Sequence, residues 1–138
     1  MQTYIDFQMK DDILIVGIAG DLDHHQATRI REEIDKTIDA FLCKNLIFDF
    51  SMLEFMDSSG IGVIMGRYNK IKEKGGSVVV AGGSKYVHMI LEMAGIFTII
   101  HKYENIFEAL QSYTSMEEKV SMLDIHAIKT ETMEETKK

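Results

Sequence analysis

Short runs of almost unbroken apolar residues alternate along this chain with longer segments that are apolar only every third or fourth position, and no other feature constrains the fold as much. Ile13-Leu14-Ile15-Val16-Gly17-Ile18, Leu46-Ile47-Phe48-Asp49-Phe50 and Val78-Val79-Val80-Ala81 have the length and density of buried strands. Between them, residues 25–42 place Ala27, Ile30, Ile34, Ile38 and Phe41 on one helical face. Residues 58–74 do the same with Ile61, Ile64, Met65, Tyr68 and Ile71 before Gly75-Gly76 stop the helix. Repeated strand-helix-strand units must cross over right-handed, which forces a mostly parallel sheet. Ahead of them, Ile5, Phe7 and Met9 alternate with polar residues and Asp11-Asp12 offers a turn, so an antiparallel hairpin is predicted at the start. A short helix at 84–94, a strand at Phe97–Ile100 and a helix at 105–114 built on Ile106, Phe107, Leu110 and Tyr113 complete the order β-β-α-β-α-β-α-β-α. The expected fold is α/β, a mixed, mostly parallel sheet with an N-terminal antiparallel hairpin and helices packed on it.

This pattern ends near Ser112, which predicts a domain over 1–114 and a polar C-terminal extension over 115–138, partly helical or disordered. In the extension Met116, Val120, Leu123 and Ala127 step by four, three and four before the polar end Glu131-Thr132-Met133-Glu134-Glu135-Thr136-Lys137-Lys138. A tail packing weakly on the domain and an added partner contact both suit that stripe. A chain of 138 residues buries roughly two-thirds of its unfolded surface, enough for a core without staples. Cys43 is the single cysteine, so no intramolecular disulfide forms and a cytoplasmic setting is expected. Neither a signal peptide nor a membrane span is expected. The net charge of −7 repels phosphate backbones, which argues against nucleic acid and for a protein partner. With the core assigned, no clear apolar patch remains, so a monomer is expected.

Catalytic constellations are weak. Of His24, His25, His88, His101 and His126 only the first two are neighbours, and adjacent residues on a helix do not converge on one metal. Cys43 beside Phe41 and Leu42 reads as a small core residue. Gly82-Gly83-Ser84-Lys85 only echoes a phosphate loop. Gly60-Ile61-Gly62-Val63-Ile64-Met65-Gly66 follows a strand and opens a helix, but its spacing is G-x-G-x-x-x-G and no acidic residue ends the next strand at Ala81 to bind a ribose. No cofactor or metal is expected, and no enzyme activity. A small nucleotide-binding enzyme is the alternative of another class.

The glycines of that segment still need a reason, because each costs about 1 kcal/mol relative to alanine inside a helix. One can serve close packing on the sheet. Several together, with Ser59, suggest a smooth surface for another polypeptide. In Phe55-Met56-Asp57-Ser58-Ser59-Gly60, Asp57 or Ser58 would cap the helix. A serine hydroxyl at a helix N-terminus is also placed where the macrodipole favours an added phosphate. Spacing alone does not separate capping from modification.

The stretches FMDSSGIGVIMGRYNKIK (55–72) and GDLDHHQA (20–27) resemble, in register from the first strand to about Ser112, the sporulation-type anti-sigma factor antagonists of the STAS-domain family. The resemblance implies a binding module, not an enzyme. Unphosphorylated, it would bind an anti-sigma factor that is also a serine kinase and so release the sporulation sigma factor. The kinase would then phosphorylate it from ATP, and a serine phosphatase would reverse the step. Carried onto this chain, the phosphoacceptor is Ser58; Asp57, Ser59 and Gly60 complete its loop, with Gly62 on the glycine-lined helix behind it, and Asp23 and His24 line the adjoining contact surface. An antagonist in a general-stress sigma pathway is the alternative within the family. Two departures stand out. The family often has proline where this chain reads Ser84-Lys85-Tyr86-Val87, a segment expected outside the kinase contact, and its chains usually end near the last helix, whereas this one runs on to Lys138.

Overall fold

A computed structural model describes residues 2–114. The chain runs β1 (Tyr4–Lys10), β2 (Ile13–Leu22), α1 (His24–Phe41), β3 (Asn45–Asp49), β4 (Leu53–Met56), α2 (Ser58–Glu73), β5 (Val78–Ala81), α3 (Lys85–Met93), a 3-10 turn (Ile96–Thr98), β6 (His101–Tyr103) and α4 (Ile106–Gln111). The predicted α/β architecture is present. β1 and β2 form the antiparallel hairpin, in register from Tyr4 opposite Ala19 to Lys10 opposite Ile13, and every other pairing is parallel.

β2 is longer than the apolar run that announces it, and the extension positions the site. Its first half, Ile13–Gly17, pairs with β3. Its last residues, Gly20–Leu22, pair with β4 after the register shifts between Gly20 and Asp21. The sheet order is β1-β2-β3-β5-β6, with β4 on β2 beyond the end of β3. Strand alternation sorts the core into two layers. Leu14, Val16, Ile18, Leu46, Phe48 and Val80 face α1, α2 and α3 through Ile30, Ile34, Ile38, Ile64, Val87 and Leu91. Ile13, Ile15, Ile47, Val79 and Ala81 face α4 through Ala109. Arg67 of α2, buried at 7% exposure, places Nε 2.8 Å from Oδ1 of Asp35 in α1, and Lys70 reaches Asp39 at 3.0 Å. These pairs tie the two helices.

Three expectations are corrected. β4 was not anticipated: with Leu53 and Met56 buried and Glu54 and Phe55 exposed, it is too short to show alternation. The strand expected at Phe97–Ile100 is instead a 3-10 turn at Ile96–Thr98, and β6 follows at His101–Tyr103. Ile96 and Ile100 are buried plugs, whereas the strand itself is a polar edge. Phe41 and Phe107, assigned to helical core faces, are 62% and 69% exposed. α1 ends at Phe41, Leu42 turns left-handed at φ 52°, and the chain buries Cys43 instead. Burial pushes the Cys43 thiol above its ordinary pKa, with Lys74 acting the other way. Among the described residues no helix is long and apolar enough to cross a membrane. The stripe Met116, Val120, Leu123 and Ala127 lies outside the described residues, as does His126.

Candidate functional site

The N-termini of α1 and α2 meet where β2 and β4 end side by side. Leu22 and Met56 are register partners, each followed by an aspartate that starts a helix. Asp23 sits in extended backbone and its carboxylate accepts from the backbone N–H groups of His25 at 3.0 Å and Gln26 at 3.1 Å, satisfying two of the donors a helix start leaves free. Asp57 divides its oxygens. Oδ1 accepts from the Ser59 N–H at 2.8 Å, capping α2, and Oδ2 accepts from the His24 N–H of α1 at 3.2 Å. The His24 ring lies beside it, Nδ1 3.8 Å from Oδ2, and packs on His25 with ring centroids 3.9 Å apart.

Partial burial of the Asp57 carboxyl raises its pKa, but the N–H groups of Ser59, His24 and Gly60 outweigh it and leave the group below its ordinary value. Asp57 is therefore a carboxylate at neutral pH, holding two helix starts together through hydrogen bonds to a charged acceptor. Asp57 is the cap, and Ser58, the first helical residue, is exposed.

The glycines divide. A Cβ at Gly60 would come within 2.6 Å of Met56 Cγ and 2.8 Å of the Leu22 carbonyl oxygen, so this glycine lets the first turn of α2 close on the end of β2. Around Gly62 and Gly66 nothing lies within 4 Å of an added Cβ. The smooth surface is thus made by those two, and Gly60 belongs to packing. The structure accordingly brings Asp23, His24, Asp57, Ser58, Ser59 and Gly60 to one corner, with Gly62 exposed in the next turn.

Apolar residues also remain beside this corner, against the expectation that the core would use them. Phe55 of β4 and Tyr86 of α3 stack at 6.2 Å while 39% and 42% exposed, and Met89 and Met93 continue along α3 at 50% and 81%. Their spacing in α3 at i, i+3 and i+7 was visible in the sequence; that Phe55 joins them was not. Ser84 caps α3 by accepting from the Val87 N–H at 3.1 Å, so the absent proline is replaced by a side-chain cap.

Similarity to known proteins agrees with this geometry. The STAS domain family matches residues 4–112. The anti-sigma F factor antagonist of Paenibacillus polymyxa is 39% identical over 110 residues, 80% of this chain and 94% of that protein. An anti-sigma-B factor antagonist of Bacillus subtilis is 26% identical over 104 residues, 72% of this chain and 90% of that one. The solved structure of the anti-sigma factor antagonist SpoIIAA in its unphosphorylated form superposes with a TM-score of 0.71 at 25% identity, covering 79% of this chain and 95% of that one. The chain belongs to the STAS domain family, among the relatives named anti-sigma factor antagonists.

Proposed function

We propose that this protein is a phosphorylation-switched anti-sigma factor antagonist of the sporulation type, acting in the cytoplasm through the domain that ends near residue 114. Unphosphorylated, it binds an anti-sigma factor that is also a serine kinase and displaces the sporulation sigma factor. Phosphoryl transfer from ATP to the Ser58 hydroxyl by that kinase ends the binding, and a serine phosphatase restores it. The observation that carries the reading is the division of labour at α2: Asp57 takes the cap and leaves Ser58 exposed at the first turn. The contact surface comprises Asp23, His24, Asp57, Ser59 and Gly62; Gly60, expected in it from the sequence, is buried against Met56 and Leu22 and sets the helix start beneath it.

The switch needs no refolding. A phosphate adds about −1.5 to −2 charges next to the Asp57 carboxylate, at the centre of the surface. Each 1.4 kcal/mol of repulsion and lost solvation weakens binding about tenfold, so a few kcal/mol suffice. Incubating the protein with ATP and the anti-sigma kinase tests this by intact mass. One phosphoryl group on the wild type and none on Ser58→Ala is expected; an unmodified wild type that still binds the kinase would make it a constitutive antagonist. The similarity to an anti-sigma-B factor antagonist supports one other reading, an antagonist in a general-stress pathway, and the kinase that binds more tightly decides between them.

A further inference from the structure

α3 is apolar on two sides, and the core covers one of them. Of its nine residues, Val87 and Leu91 are fully buried and Ile90 packs on the same core. Tyr86, Met89 and Met93 stand at i, i+3 and i+7, a single helical face, and all three are exposed. His88 does not dilute that face: its Nε2 lies 2.6 Å from the Gly82 carbonyl oxygen, and its ring packs edge-on against Phe97. Phe55 of β4 extends the face by stacking on Tyr86, the two ring planes 27° apart. A helix apolar all round is ordinarily buried, and methionines at a surface suit a protein partner because their unbranched chains adapt to its shape.

We propose that the face formed by Phe55, Tyr86, Met89 and Met93 is a second contact for the anti-sigma factor, taking an apolar segment of that protein flanked by basic side chains. The proposal rests on the reading of the Ser58 corner as the first contact, and it brings into the interface a helix whose start the resemblance put outside it. Continuity is the first argument for this occupant. Phe55 lies on β4, which leads directly into Asp57 and Ser58. β5 runs parallel to β3, β3 to β2 and β2 to β4, so α1, α2 and α3 all start at one end of the sheet and a single partner can span the three starts. Charge is the second argument. Asp21 is the register partner of Phe55, and two residues further along each strand stand Asp23 and Asp57. Glu92, exposed, precedes Met93. Among the described residues no cation pairs with Asp21, Asp23 or Glu92, and the only lysine or arginine in α3 is Lys85. A second copy, with the same acidic rim and a net charge of −7, would set like charges against each other, whereas a partner with a basic rim complements them.

Calorimetric titration of the full chain with the anti-sigma kinase, paired with intact-mass detection of phosphorylation on Ser58, tests it. The double variant Met89→Ser, Met93→Ser changes only exposed side chains. Its affinity should fall about tenfold or more, the loss expected when apolar anchors leave a contact. A saturating amount of kinase should still load one phosphoryl group onto it, because this face binds the partner and does not touch the serine. Phe107→Ser, exposed on α4 in the other layer, should bind as the wild type does. Unchanged affinity in the methionine variant, or an equal loss in Phe107→Ser, overturns the second contact and leaves the Ser58 switch standing. A wild type that binds the kinase but is never phosphorylated overturns the switch alone, and the affinity of the methionine variant still decides the second contact. A wild type that binds no anti-sigma kinase overturns both. A wild-type dimer in sedimentation that the methionine variant lacks, with kinase affinity unchanged, makes a second copy the occupant and overturns the proposal.

Discussion

Two helices of this protein start in the same way in sequence and differently in space. Asp23 opens α1 and spends its oxygen on its own helix, on the His25 and Gln26 N–H groups. Asp57 opens α2, gives one oxygen to its own Ser59 and lends the other to His24 of α1. One is a local cap; the other is a cap and a tertiary clasp. A cap satisfies a helix wherever that helix lies, whereas a clasp fixes where one helix starts relative to another. A surface assembled from both starts depends on the clasp.

The comparison can be broken most severely from behind, at Gly60. Gly60→Ala would press a Cβ against Met56 and the Leu22 carbonyl, and overpacking against backbone costs about 1–3 kcal/mol, with the upper end expected here. A drop in the urea midpoint measures it; an unchanged midpoint would mean that the α2 start is not clamped against β2. Next comes Asp57→Ala, which frees an N–H at the start of each helix and undoes the tie between them and should cost about 2 kcal/mol, whereas Asp23→Ala, which frees N–H groups of α1 alone, should cost about 1 kcal/mol. Equal losses in the two would show that the bond to His24 contributes nothing. The smallest effect is at Gly62, where alanine meets open space; Gly62→Ala should raise the melting temperature, by up to about 1 kcal/mol of helix propensity, while weakening binding to the anti-sigma factor if that face is in the contact.

Acid sharpens the same contrast. The folded Asp57 carboxyl has a pKa below its unfolded value. Its contribution to stability is therefore complete above the ordinary aspartate range and is lost as pH falls through the lower, folded value. Asp57→Asn should remove that part of the acid dependence, so the gap in urea midpoint between variant and wild type should narrow as pH falls. A gap independent of pH would show that the charge on Asp57 is not what holds the corner.

Much of this was legible beforehand, for reasons that differ by element. α1 and α2 repeat their pattern over enough residues for burial to show as periodicity, and β5 shows as an unbroken apolar run. β4 has four residues, and its pairing depends on β2 continuing past Gly20 at φ 100°, a backbone turn without an apolar signature. The run at Phe97–Ile100 misled because buried plugs beneath α3 look like a strand in one dimension, while the real edge strand, His101–Tyr103, is polar. At the site, the aspartates, histidine, serines and glycines were all named from the sequence. Which of them caps, which packs and which stays exposed was not, since Asp57 and Ser58 are both good capping residues and Gly60 and Gly62 are the same residue type.

By itself, the sequence determined the α/β class, the hairpin, the parallel core strands and the faces of the long helices. These follow from periodicity and local hydrogen-bonding chemistry, which act between residues close along the chain. Only the tertiary structure decided that β4 joins the end of β2, that Asp57 reaches across to His24, that Gly60 is clamped while Gly62 is open, and that Phe55 meets Tyr86. Each of those depends on a contact between atoms of residues distant in sequence or on the space left around them, and a one-dimensional pattern carries neither.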